Sequence, residues 1–340
     1  MPGHAPEAAN GTDRPDPVAA LKAGLALPVI GAPMFLASGV DLVVAQCCAG
    51  IIGTFPSLNA RPAAELDTWL TEIERRLAAF ETETGRKAAP YGVNLIVNDY
   101  NDRLNTDLAT CVRHKVPLVI TSLSAPDMVV EAVHGYGGVV FHDVIKARHA
   151  RRAAKAGVDG LILVSAGAGG HAGTLSPFAL VEEVRADWDG PLVLAGGIAN
   201  GRAVLAAEVL GCDFAYAGTV FIPSVEAIAP DAHKQMIVRA GADGIVYTPL
   251  FSGTHANYLI ESVERAGMDP EEARRAEPRR MTAKTDPDRP KAWKDVFSAG
   301  QAVAQSRAIE PAEQIVARLA GEYDRARARL GDGPRRKETA

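Results

Sequence analysis

Short runs rich in Val, Ile and Leu recur along this chain and alternate with longer stretches in which Ala, Glu, Arg and Leu mix. Runs of the first kind predict strands of a parallel sheet buried on both faces. Eight such runs stand out: Leu27–Met34, Gly50–Phe55, Tyr91–Val97, Val116–Ser122, Gly138–Val144, Gly160–Ala166, Pro191–Ile198 and Phe214–Ile222. Between them, Ala63–Thr82 and Lys146–Ala156 carry the pattern of helices exposed on one face. Eight βα units joined by right-handed crossovers close into an α/β fold of the TIM (β/α)8 barrel type. A doubly wound open sheet would place its glycine fingerprint directly after the first strand. Here that strand ends in Gly31-Ala32-Pro33-Met34, and the glycine-rich turns follow strands seven and eight instead. The pattern favours the barrel.

The same reading divides the chain. Residues 1–20, polar and rich in Pro and Gly, are expected to be a disordered leader, and 21–225 to be the barrel. Residues 226–290 are expected to form a mainly helical excursion or lid. Within Pro223–Pro249 the clearest helical stretch is Ala227–Ala240. Residues 291–325 are expected to be C-terminal helices packing on the barrel, with Ile315, Leu319 and Tyr323 at four-residue spacing, and 326–340 a charged, disordered tail.

Composition narrows the function. With 36 basic against 41 acidic residues the net charge is −5, which gives no footprint for nucleic acid or an anionic membrane. No apolar run reaches the roughly 18 residues of a membrane span, so the expectation is a cytoplasmic protein. The four cysteines lack the spacing of a zinc site, and Cys47 and Cys48 are adjacent; small buried hydrophobes in a reducing compartment are expected, and no metal. A homo-oligomer is left open.

Chemistry concentrates at the expected C-terminal mouth. In a (β/α)8 barrel the loops after strands seven and eight commonly clasp a phosphate with main-chain N–H groups and a helix N-terminus. Ala195-Gly196-Gly197-Ile198 closes strand seven and opens a helix near Gly201, and Gly218-Thr219 closes strand eight. Glycine there lets an anion approach the amides, and the Thr219 hydroxyl adds a donor. After strand six comes Ser165-Ala166-Gly167-Ala168-Gly169-Gly170-His171-Ala172-Gly173, nearly bare of side chains except one imidazole. Its backbone, with Ser165, Gly169 and Gly170, suits close approach to a flat ring, and His171 is the group that titrates near neutrality. Pro33 and Met34 could pack under such a ring, and Asn94 could bond its edge. His142, Asp143 and His255 also fall near the mouth, with structural roles equally open.

These motifs together resemble the nitronate monooxygenase family. The resemblance runs from about Leu27 to Tyr323 and rests on GAPM at Gly31–Met34, YGVNL at Tyr91–Leu95, AGAGGHAG at Ala166–Gly173, AGGIANGR at Ala195–Arg202 and AGTVF at Ala217–Phe221. It implies an FMN-dependent barrel that oxidises alkyl nitronates or nitroalkanes with O2 to a carbonyl compound and nitrite. It implies that Gly196, Gly197, Gly218 and Thr219 hold the FMN phosphate. Ala32, Pro33, Met34 and Asn94 would lie by the isoalloxazine, and His171 would be the catalytic base. Many relatives carry an acidic residue where Gly167 stands, and some a lysine at Asp143. The same architecture resembles NAD(P)H-dependent FMN reductases acting on quinones or enoyl thioesters, which is the alternative. A flavin-free barrel would call for a Glu or Schiff-base Lys at a strand end, and none is evident.

Overall fold

The computed structural model describes residues 17–278 and 290–331. Eleven strands follow in chain order: β1 (Val29–Gly31), β2 (Ile52–Pro56), β3 (Tyr91–Val97), β4 (Leu118–Leu123), β5 (Val139–Val144), β6 (Gly160–Val164), β7 (Gly170–His171), β8 (Leu192–Ala195), β9 (Phe214–Ala217), β10 (Ile245–Thr248) and β11 (Ala256–Leu259). Strands β1 to β6, β8 and β9 form a closed barrel in that order, all pairs parallel, with β9 returning to β1 through Ile30↔Tyr216. Each of the eight expected apolar runs overlaps one barrel strand, usually shorter than the run, with β2 and β4 ending one residue beyond it. Phe214–Ile222, for example, is strand only to Ala217 and then turns through Thr219–Phe221.

The two faces of each strand go to two cores. Ile30, Ile52, Leu118, Ile120, Phe141, Ile162, Val193 and Phe214 point inward and fill the barrel. Their neighbours one residue along, such as Val29, Val119, Val140 and Leu163, face the helices. That period of two on strands buried on both sides is why the runs read as continuously apolar. Helices Glu65–Thr84 and Ala147–Lys155 lie within a residue or two of the stretches expected to be helical.

Beyond β9 the structure departs from the expected run of helix. Residues 231–239 are helical, but Ile245–Thr248, inside the stretch read as helical, is strand β10. It pairs antiparallel with β11, which pairs in turn with β7, giving a three-stranded sheet β10-β11-β7 set over the barrel mouth. The alternating buried pattern of β10 is only four residues long and directly follows a helix, so no helical period contradicts it. The segment Trp293–Gly300, also read as helical, is an irregular stretch that leads into a short turn of helix at Gln301–Gln305. Trp293 there has a left-handed φ of 63°, which no helix accommodates.

The final helix, Ala312–Gly331, extends past the expected boundary at 325 and buries Ile315, Leu319 and Tyr323 as their spacing requires. Of the expected leader, residues 17–22 form a short helix and 1–16 lie outside the described residues; of the tail, so do 332–340, as do 279–289 of the excursion. No described helix is long and apolar enough to cross a membrane.

Candidate active site at the barrel mouth

Two glycine turns stand beside each other on the C-terminal rim. Gly196 and Gly197 leave β8 with φ of 118° and 77°, conformations that L side chains rarely adopt. A Cβ on Gly196 would stand 2.9 Å from the Ala166 carbonyl oxygen, whereas one on Gly197 would meet no protein atom within 4 Å. Gly218, leaving β9, faces the β1 loop: a Cβ there would be 3.3 Å from Ala32 Cβ and 3.6 Å from Met34 Sδ. Among the described residues, the amides of Gly196, Gly197, Gly218 and Thr219 donate to no protein acceptor. Unpaired main-chain donors beside open space favour an anion.

The helix after β8 contributes less than expected. Its first turn is capped by the Asn200 side chain, which accepts from Ala203 N at 3.0 Å, while Gly201 N donates to the Glu322 carboxylate at 2.9 Å. The donors left for a ligand are those of the glycine turns rather than of the helix N-terminus.

The β1 loop is held rigid. Asn59 Nδ2 donates to the carbonyls of Met34 (2.9 Å) and Ser38 (2.8 Å), Asn59 Oδ1 accepts from Leu36 N, and Ser38 Oγ accepts from Met34 N at 3.0 Å. Ala32, Pro33 and Met34 are thereby fixed at the rim beside Gly218.

Facing them across the mouth is the long glycine loop after β6. Ser165 Oγ donates to Ala195 O at 2.6 Å, so this side chain ties the loop to β8 and has only its lone pairs left to offer a ligand. Gly169 is closely packed: an added Cβ would stand 3.0 Å from Gly300 N and 3.2 Å from Thr219 Oγ1, so any larger residue would push these neighbours aside by a few tenths of an ångström. The loop is gripped from above: Gly170 N donates to Ser298 Oγ (2.7 Å), Asn257 Nδ2 to Ala168 O (2.7 Å) and Gln301 N to Gly167 O (2.9 Å). Thr219 Oγ1 accepts from Gly300 N at 2.8 Å, which leaves its own proton to donate.

His171 sits on β7, opposite Ala256 of β11. Its Nε2 is 2.9 Å from Ser252 Oγ, and its ring meets Trp293 edge-on at 5.1 Å between centroids. Trp293 also touches Phe35 and Tyr258, forming an aromatic cover. Burial pushes the imidazole down to about 4, so it is neutral at physiological pH and carries a basic lone pair.

A polar layer floors the mouth. Asn94 Nδ2 donates to Ile120 O (3.3 Å) and Ser122 Oγ (2.9 Å), and Ser122 donates to Asp143 Oδ2 at 2.6 Å. A carbonyl only accepts, so the amide nitrogen is fixed toward Ile120 and Asn94 Oδ1 is the atom left to receive a ligand donor. Asp143 Oδ1 and Tyr216 Oη are buried with no hydrogen-bond partner. Burial raises Asp143 to about 6, against the opposing pull of the Ser122 bond.

Other sequence candidates separate from this group. His142 points out of the barrel toward Thr121, bonded at 2.8 Å, and burial lowers it to about 4. His255 stacks on Tyr247. Ser122, Ser252, Asn257, Trp293 and Ser298 join this group: Ser122 carries no signal in the sequence, whereas the other four lie in the segments 251–257 and 293–301, whose mixed polar and aromatic character suits a cover over the mouth. All four cysteines are free, and among the described residues no group of three or more His, Cys, Asp or Glu could hold a metal.

Fold and side-chain placement together define a (β/α)8 barrel whose candidate site lies on the C-terminal rim. The nitronate monooxygenase family model matches residues 26–322, and the chain belongs to that family. It is similar to a (3aS,4S,5R,7aS)-5-hydroxy-7a-methyl-1-oxo-octahydro-1H-indene-4-carboxyl-CoA dehydrogenase of Mycobacterium tuberculosis, 28% identical over 71% of this chain and 66% of that one, just under two thirds of the relative's length. It is also similar to a nitronate monooxygenase of Paraburkholderia phytofirmans, 26% identical over 87% of this chain and 92% of that one. The solved structure of FabK from Thermotoga maritima superposes with a TM-score of 0.73 at 24% identity, covering 93% of this chain and 98% of that one, and shares the fold.

Proposed function

We propose that this protein is an FMN-dependent enzyme that oxidises alkyl nitronates or nitroalkanes, with His171 as its base. The observation that carries the reading is the pairing of unpaired amides at Gly196, Gly197, Gly218 and Thr219 with the buried neutral imidazole of His171 at the same mouth. The residues fit FMN. The glycine turns offer donors, with open space at Gly197 for a phosphate, and the orphaned Asp143 Oδ1 and Tyr216 Oη, with Asn94 Oδ1, offer partners for a heterocycle edge. When bound, FMN would supply the electron acceptor through which the nitronate is oxidised before O2, yielding a carbonyl compound and nitrite.

The chain's own groups do the rest. His171 removes the α-proton of a neutral nitroalkane, the C–H pair passing into the nitronate while the proton stays on the imidazole. With a preformed nitronate no proton has to be removed, and His171 is not needed as a base. Trp293, Phe35 and Tyr258 exclude water above it. Residues 226–278 cover the mouth as a lid rather than a separate catalytic domain. The free cysteines suit a reducing cytosol.

An absorbance spectrum of the purified protein, followed by anaerobic addition of propyl-2-nitronate and separately NADH, tests this. Flavin reduced by nitronate and inert to NADH supports it. Rapid reduction by NADH alone moves the protein to the reductases, a reaction type that the CoA-thioester relative keeps in view. His171→Ala is expected to keep its flavin and lose about 10²–10⁴-fold in turnover of nitroalkanes. Full activity in that variant refutes the base assignment.

A further inference from the structure

We infer that Ser252 is a positioning residue that fixes the tautomer of His171, making Nδ1 the basic atom that faces substrate. The inference deepens the reading of His171 as the base and rests on it for its catalytic meaning, but the tautomer itself is a property of the protein alone.

The argument is an accounting of protons. A serine hydroxyl has one hydrogen and accepts through its lone pairs. Ser252 Oγ lies 2.8 Å from the Thr254 carbonyl oxygen, an atom that can only accept, so the serine proton is directed there. His171 Nε2, 2.9 Å from the same Oγ, must then be the donor. A neutral imidazole carries one N–H, and with that proton on Nε2 the lone pair stands on Nδ1. The imidazole is neutral at physiological pH because burial opposes its charge. Tyr258, whose phenol lies beside Ser252, is the other titratable group at this oxygen, and burial holds it protonated, pushed up to about 12.

The backbone makes the arrangement specific. β7 sets His171 opposite Ala256, and Tyr247 Oη donates to Ala172 O at 2.7 Å, so the residue after the histidine is tied to β10. Ser252 lies on the connection between β10 and β11, the two strands that hold the histidine's own strand. Ring and acceptor are therefore carried by one small sheet, and Trp293 closes the ring's face edge-on at 5.1 Å. The mismatch that Ser252 prevents is a proton on Nδ1, which would leave the base unable to act from that atom.

The test is a long-range ¹H–¹⁵N spectrum of protein labelled at histidine, in the flavin-loaded form as purified, with His171 assigned by its absence in His171→Asn. The wild type is expected to show a protonated Nε2 and an unprotonated Nδ1. Ser252→Ala is expected to give a mixture of both tautomers and a kcat for neutral nitroalkane about tenfold lower, with KM little changed. Ser252→Thr, which keeps the hydroxyl, should restore both. A wild-type ring protonated on Nδ1, or a Ser252→Ala spectrum identical to wild type, overturns the inference. The predicted tautomer in a protein whose His171→Ala variant keeps full turnover instead upholds the positioning geometry and removes the catalytic reading, so the two failures are told apart.

Discussion

The pair Gly196→Ala and Gly197→Ala separates a tight turn from an anion cradle. At Gly197 the added methyl meets no protein atom within 4 Å, so its cost to the cofactor-free protein is the left-handed backbone, roughly 1–2 kcal/mol. That corresponds to a fall in Tm of about 1–3 °C in a chain of 340 residues. If a phosphate rests on these amides, the methyl holds it away and weakens at least one charge-assisted hydrogen bond worth about 1.5–3 kcal/mol. FMN affinity should then drop roughly 10- to 150-fold.

At Gly196 the balance reverses. The methyl would stand 2.4 Å from Ser165 Oγ and 2.9 Å from the Ala166 carbonyl, and φ is 118°. Backbone strain of about 1–3 kcal/mol adds to overpacking of about 1–3 kcal/mol. Moving Ser165 aside also breaks its bond to Ala195 O, worth about 1 kcal/mol. The protein should lose roughly 3–7 kcal/mol and melt far earlier. Thermal denaturation of the cofactor-free variants by circular dichroism, with FMN titration by fluorescence quenching, measures both quantities. A Gly197→Ala protein that binds FMN with wild-type affinity and shows only the small Tm shift would refute the phosphate assignment.

Two further predictions follow from the same geometry and from burial. Gly218→Glu places a carboxylate beside Ala32, Met34 and the unpaired amides, so the variant should purify colourless; a yellow protein with stoichiometric flavin counts against the site. Burial lowers His142, His171 and His233 each to about 4, so between about 4 and 6.5 the unfolded chain binds protons that the folded chain does not, and stability falls as pH drops through that window. Asp143, raised to about 6, works the other way: its contribution is present at low pH and is lost as pH rises through 6. Three groups outweigh one, so the cofactor-free protein should melt lower at pH 4.5 than at pH 7, and a flat or rising Tm would contradict the buried neutral histidines.

The barrel was legible because its strands are buried on both faces, so residues such as Val119 and Ile120 are apolar whichever way they point. The glycine turns were legible for a related reason: positive φ demands a residue type that sequence displays openly. What escaped was whatever depended on contact between distant segments. β7 is two residues long, and its strand character exists only because β11 pairs with it. Ser252 and Ser298 become part of the site through bonds to residues 81 and 128 positions away, and neither has a local pattern. Trp293 sat in a stretch with plausible helical spacing, yet its backbone turns left-handed to return a bond to Val296 O at 2.8 Å. Asn94 was picked out, but its link through Ser122 to Asp143 needed three parallel strands in register.

The pairing of β7 with β11 has a consequence for how such an enzyme can be altered. The histidine loop belongs by sequence to the barrel's sixth unit but by hydrogen bonding to a sheet whose other strands are Ile245–Thr248 and Ala256–Leu259. The strand-six loop is further stapled to Ser298 and Gln301. Exchanging that loop alone between related chains would leave its donors and acceptors facing foreign partners. The structural unit to which the loop belongs is thus discontinuous, comprising the loop, the 245–259 hairpin and the 293–301 strap. A graft that moves all three together should carry a preference from one barrel to another, whereas any single piece should carry only a defect.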